Sequence, residues 1–155
     1  MRVPLRLVLA LIATLVTGDA TMSREGLITI RSSFDPGETM KRLEDEVRAK
    51  GLTIFAHVDH AAGASEIGMQ LRPTDLLIFG AAKGGTPLMQ ADQTIGIDLP
   101  LKALVWQDEA GATFLSYNDP GYIAHRHGLD VRVKAVVDAL SGVLRAIAGK
   151  ATNVQ

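Results

Sequence analysis

Leu101-Lys102-Ala103-Leu104-Val105-Trp106 is followed by Asp108-Glu109-Ala110-Gly111 and then by Ala112-Thr113-Phe114-Leu115-Ser116-Tyr117. Two apolar, strand-like runs are thus joined by a short segment of turn residues. This is the pattern of an antiparallel hairpin. Upstream, Leu76-Leu77-Ile78-Phe79 is a continuous apolar run after Arg72-Pro73. It is short enough for a buried central strand.

Further upstream, Leu27-Ile28-Thr29-Ile30-Arg31-Ser32 has the β-branched character of a strand. Asp35-Pro36-Gly37-Glu38 then predicts a helix start: Asp35 caps, Pro36 fits the first helical position and Glu38 completes a capping box. Met40, Leu43 and Val47 give that helix one apolar face, while Lys41, Arg42, Glu44, Asp45 and Arg48 lie in solvent. Lys50-Gly51 ends it, with the glycine suited to a left-handed C-terminal cap. Leu52 to His60 reads as a second strand, and the alanine-rich stretch from Ala61 to Met69 as one or two helical turns.

Gly80 to Gly85 reads as a loop. Thr86-Pro87 repeats the cap-then-proline signal, which predicts a short helix over Pro87 to Asp92. Asn118-Asp119-Pro120-Gly121 is a turn. Val133, Val136, Val137, Leu140, Val143, Leu144 and Ile147 recur at helical spacing, so the longest helix is expected from near Asp130 to Gly149. The fold class is α+β: a mostly antiparallel sheet in a single domain, with helices packed on one face. The opposite sheet face then needs a cover, for which a second copy of the chain is the simplest candidate.

The chain of 155 residues suits one domain, and its hydrophobic content suffices for one core. Basic and acidic residues nearly balance, at 16 against 17, with no clustered basic face and few aromatics. Nucleic-acid binding is accordingly disfavoured. There is no cysteine, which excludes disulfides, thiolate nucleophiles and thiolate metal sites.

Arg2 and Arg6 precede the uncharged apolar run Leu7 to Val16, and Gly18-Asp19-Ala20 follows. This is the layout of a secretory signal over residues 1–20, too short for a membrane span. A leader over 21–26, a domain over 27–149 and a frayed tail over 150–155 complete the division. The mature protein is then periplasmic or secreted, with no membrane attachment. Met22 offers an alternative start that would leave the protein in the cytoplasm.

Four segments taken jointly carry a family resemblance: His57 to Ala64, Arg72 to Gly80, Lys83 to Gln90 and Asp98 to Lys102. Together they resemble the bacterial family called domain of unknown function 302, over roughly Leu27 to Ile147. The resemblance implies a TBP-like α+β sheet with helices on one side, and a homodimer. It brings no catalytic residues. The family often has Asn-Pro after the Phe-Gly pair, where this chain has Ala81-Ala82.

Three constellations are candidates for chemistry. His57-x-Asp59-His60, joined by Glu66 from the following helix, offers imidazole and carboxylate ligands for a divalent metal such as zinc, copper or iron. The competing reading is strand-end histidines with hydrogen-bonding duties. Lys83, Gly84, Gly85 and Thr86 would present backbone N–H groups and a cation to an anion at a helix start. The order of lysine and glycines is not that of a phosphate loop, so nucleotide hydrolysis is not expected. Asp98 and Lys102 would hold a ligand or form a structural salt bridge. His125-x-His127 is expected in an exposed loop. No nucleophile-elbow motif occurs. The functional expectation is a small-ligand-binding domain taking an anionic metabolite at a dimeric site. Metal binding or metal-dependent chemistry, and a purely structural dimer, are the alternatives.

Overall fold

The computed structural model describes residues 24–129 and 131–153. The expected export signal over residues 1–20 and half of the leader, residues 21–23, fall outside them. Five strands form one fully antiparallel sheet, ordered β1-β5-β4-β3-β2. They are β1 (Leu27–Arg31), β2 (Thr53–Asp59), β3 (Thr74–Gly80), β4 (Leu101–Gln107) and β5 (Thr113–Asn118). The hairpin expected from the sequence is the β4–β5 pair, with Trp106 opposite Phe114.

Two long helices lie against one sheet face. In α1 (Pro36–Ala49) the Asp35 carboxylate accepts the Glu38 N–H at 2.9 Å, and Gly51 past its end has φ +69°. Met40, Leu43 and Val47 are its buried stripe, as their spacing requires. Helix α5 (Lys134–Thr152) adds Leu144, Ile147, Ala148 and Ala151. Between them and the sheet lie Leu77, Phe79, Leu101, Ala103, Val105 and Leu115. Removing each such leucine or phenylalanine from water is worth about 1.5–3 kcal/mol, so this layer is the main source of stability.

The described part of the expected tail, residues 150–153, is anchored. Helix α5 continues past Gly149 to Thr152, which is buried, and the Thr152 carbonyl accepts the Ser33 N–H at 2.8 Å. Arg42 donates to the carbonyls of Lys150 and Asn153 while stacking over the Phe34 ring.

A second, smaller core sits beside the sheet. It joins α3 (Ala82–Ala91), a 3-10 helix (Gln93–Ile97), α4 (Pro120–Arg126) and the start of α5 through Leu88, Ile95, Ile123, Leu129, Val133 and Val137. Two expectations change here. Helix α3 begins at Ala82, five residues before Pro87, so Gly84 and Gly85 lie inside a helix and not in a loop. The reason is packing: a Cβ on Gly84 would stand 3.3 Å from Leu140 Cδ2 of α5, so the glycine lets the two helices approach closely. The turn at Asn118–Gly121 opens α4: Asp119 caps it by accepting the Gly121 N–H, and Pro120 takes the first position.

The second sheet face carries neither α1 nor α5. Its register sets side chains in rows across the strands. One row runs Val58, Leu76, Leu104, Ser116, Thr29 over all five strands. Another runs Thr74, Trp106, Phe114, Arg31.

Candidate functional site

Of the three constellations, none assembles in the form the sequence suggests. His57 stands on β2, Asp59 ends that strand, and His60 opens the seven-residue helix α2 (His60–Glu66). The Asp59 carboxylate is taken up as the cap of α2, accepting the Ala62 N–H at 2.7 Å. His57 lies between two carboxylates, with Nδ1 3.5 Å from Glu44 and Nε2 3.0 Å from Asp75. These partners sit on opposite ring nitrogens, so they cannot share one ion with the imidazole. Among the described residues, no three His, Asp or Glu side chains are placed to hold a metal.

Lys83, Gly84, Gly85 and Thr86 do not form an N–H cradle. The Gly84 and Gly85 N–H groups both donate to the Ala81 carbonyl, at 3.0 and 3.2 Å. Thr86 is in the middle of α3 and caps nothing; Ala81 occupies the cap position without a side-chain bond. Lys83 and Thr86 are exposed on that helix.

Asp98 and Lys102 do meet, but not carboxylate to ammonium. Lys102 Nζ donates to the carbonyls of Asp98 and Pro100, at 3.2 and 3.0 Å. The Asp98 carboxylate turns to α4, where its Oδ2 lies 2.7 Å from His127 Nε2 and its Oδ1 3.3 Å from Arg126. His127 is not loop decoration: its side chain is 9% exposed. Its other nitrogen, Nδ1, is 3.0 Å from Thr94 Oγ1, which is 2.7 Å from Asp92 Oδ1. The Thr94 hydroxyl, then its backbone N–H, hold the Asp92 carboxyl below its ordinary pKa. A chain of Asp98, His127, Thr94 and Asp92 thus bolts the 3-10 helix to α4. The signal that could have found it is Asp119-Pro120-Gly121, which repeats Asp35-Pro36-Gly37 and marks a helix ending at His127.

The strongest candidate for a ligand site lies on the second sheet face. A cavity of about 400 Å³ is walled by Leu27, Leu76, Leu104 and Trp106, with Arg24 and Lys102 lining it. The polar atoms of its floor are linked to one another. Trp106 Nε1 donates to Ser116 Oγ at 2.9 Å, and Ser116 Oγ shares a 2.8 Å hydrogen bond with Thr29 Oγ1. The Trp106 ring stacks on Phe114 with centroids 4.8 Å apart. Neither Lys102 nor Arg24 has a carboxylate partner among the described residues. Sequence reasoning found Lys102 but not the pocket, because Arg24, Leu27, Leu76 and Trp106 converge only through strand order.

The sequence matches the family described as Domain of unknown function DUF302 over residues 28–147. The chain belongs to that family. A DUF302 protein of known structure, the crystal structure of an uncharacterized conserved protein from Bacillus stearothermophilus, superposes with a TM-score of 0.74. It is 19% identical, the match covering 83% of this chain and 99% of that one, and it supports the fold alone. Three curated Brucella proteins are similar in sequence. "Fluoride-specific ion channel FluC 1" of Brucella suis biovar 1 (strain 1330) is 42% identical over 134 residues, 84% of this chain and 53% of that protein. FluC 1 of Brucella abortus biovar 1 (strain 9-941) and FluC 2 of Brucella melitensis biotype 1 (strain ATCC 23456 / CCUG 17765 / NCTC 10094 / 16M) match equally, over 50% of their lengths. This DUF302 chain therefore spans about half the length of the curated relatives it matches. No described helix is long and apolar enough to cross a membrane.

Proposed function

We propose that this DUF302 domain is a binding module for a small anion, taken up on the second sheet face beside Lys102. The observation that carries the reading is that Lys102 and Arg24 line one cavity with no carboxylate among the described residues to neutralise either. Lys102 already donates to two carbonyls, so its ammonium is held in place before a ligand arrives. The expected Lys83–Thr86 anion site has no part in this reading, since its N–H groups are spent inside α3. The Brucella relatives named as fluoride channels are compatible with it. We propose that in those proteins the shared half serves an anion-handling partner carried in the other half.

The protein acts as a homodimer in this proposal, exported by the signal read in residues 1–20. Support for the dimer comes from exposed apolar side chains at the β2 edge of the sheet and after α2. Phe55, Ile67 and Met69 are 56%, 73% and 61% exposed, and Val58 and Leu71 join them. Such exposure on β2 and on the segment after α2 is costly to leave in water. The test is thermal denaturation across chloride, phosphate and simple carboxylates, with Lys102→Met beside the wild type. Binding to the folded state alone raises the midpoint with ligand concentration. An unchanged midpoint throughout rejects the reading.

A further inference from the structure

We infer that the pocket's ligand is an amphipathic monoanion: a carboxylate borne on an aromatic or aliphatic body. This rests on the anion-binding reading and narrows it to a chemical class. The cavity sorts its chemistry by position. On the floor, the Trp106 Nε1–H is spent on Ser116 and one hydroxyl proton on the Ser116–Thr29 bond, which leaves a ligand a single hydroxyl donor. The walls, Leu27, Leu76, Leu104 and the Trp106 ring, are apolar. Charged donors come from Lys102, which keeps one N–H beyond its two carbonyl bonds, and from the Arg24 guanidinium, and Asn118 also lines the pocket with its amide.

A compact inorganic anion would exchange its water shell for two cations and a few neutral donors, and could make no use of the apolar walls. A carboxylate with a carbon body places its charge at the cations and its apolar surface on the leucines. Each Å² so covered contributes roughly 25 cal/mol. Trp106 is fixed before binding by its bond to Ser116 and its stack on Phe114, so ordering it costs the ligand nothing further.

Trp106 is the only tryptophan in the chain, and its fluorescence therefore reports the pocket directly. Benzoate and octanoate would be titrated into the full chain, following Trp106 emission and the melting midpoint. Benzyl alcohol and octanol serve as uncharged counterparts, and sodium fluoride and phosphate as small anions. The expected result is a saturable response to the carboxylates, weakened at least tenfold in Lys102→Met and largely kept in Lys102→Arg, which retains the charge. The alcohols bind at least tenfold more weakly than their acids. If fluoride or phosphate raises the midpoint through Lys102 while the carboxylates do nothing, the ligand class is overturned and anion binding stands. A response to the alcohols equal to that of the acids also overturns the class, since charge then plays no part. If no probe moves either signal, in a chain whose circular dichroism shows it folded, both readings fall.

Discussion

His127 Nε2 lies 2.7 Å from Asp98 Oδ2, across a gap of 29 residues in sequence, and both side chains are largely buried, at 9% and 14% exposure. The pair joins the end of the 3-10 helix to the end of α4. His127→Ala leaves the Asp98 carboxylate with only the solvent-exposed Arg126. Truncating one partner of such a bond costs about 1–3 kcal/mol. The urea midpoint of His127→Ala should fall accordingly. Because the two residues share one interaction, His127→Ala with Asp98→Ala should cost clearly less than the sum of the single changes. Additive losses would mean that the contact contributes nothing of its own.

Gly26 makes a sharper steric prediction. Its φ is +72°, and a Cβ there would fall 2.3 Å from the Tyr122 ring. Gly26→Ala combines a left-handed backbone, which costs roughly 1–2 kcal/mol for a residue with a Cβ, with a clash that must move an aromatic ring or the chain. The expected loss is about 2–4 kcal/mol by chemical denaturation. Tyr122→Ala added to Gly26→Ala should recover the steric part and leave only the backbone part. No recovery would place the whole cost in the backbone.

The fold was legible because its signals are local. Asp35-Pro36 fixed one helix start, the 3-and-4 spacing of Val133 to Ile147 named the long helix, and the β4–β5 turn set the antiparallel sense. What misled were signals with two readings. Thr86-Pro87 looks like a cap and first turn, yet Pro87 lies within α3, whose start at Ala82 has no side-chain cap to announce it. Asp119-Pro120 looks like a turn and is a cap. The candidate site was legible only at Lys102. Its neighbours Arg24, Leu27 and Trp106 reach it through β1-β5-β4 order, and the Phe55 bulge in β2 is likewise a matter of pairing that a single strand does not encode.

Tyr117 should give the protein an alkaline signature. It is buried against the α1–α5 layer, and burial raises its phenol above the ordinary value, with Arg145 opposing and Asp119 adding. The unfolded chain then ionises this residue first, from about pH 10. Its contribution is intact below that pH and is lost as pH climbs toward the folded-state value. Tyr117→Phe removes this one proton. The urea midpoint of the wild type should decline more steeply above about pH 10 than that of the variant. Parallel declines would show that other groups govern the alkaline limb.

The apolar arm should decide the oligomeric state. Ile67, Met69 and Leu71 follow α2, a helix with no buried residue of its own, and Phe55 and Val58 are exposed on the edge strand β2. Since all three side chains are exposed, changing them to serine should alter the stability of an isolated chain by about 0.5 kcal/mol or less. In a dimer built on this surface the same change removes apolar area from the centre of the contact. Sedimentation velocity should therefore show a dimer for the wild type and a monomer for Ile67→Ser/Met69→Ser/Leu71→Ser, with Trp106 emission unchanged in both. A wild type that sediments as a monomer, or a triple variant that stays dimeric, would remove this surface as the contact. The pocket at Lys102 would remain to be judged by its own titration.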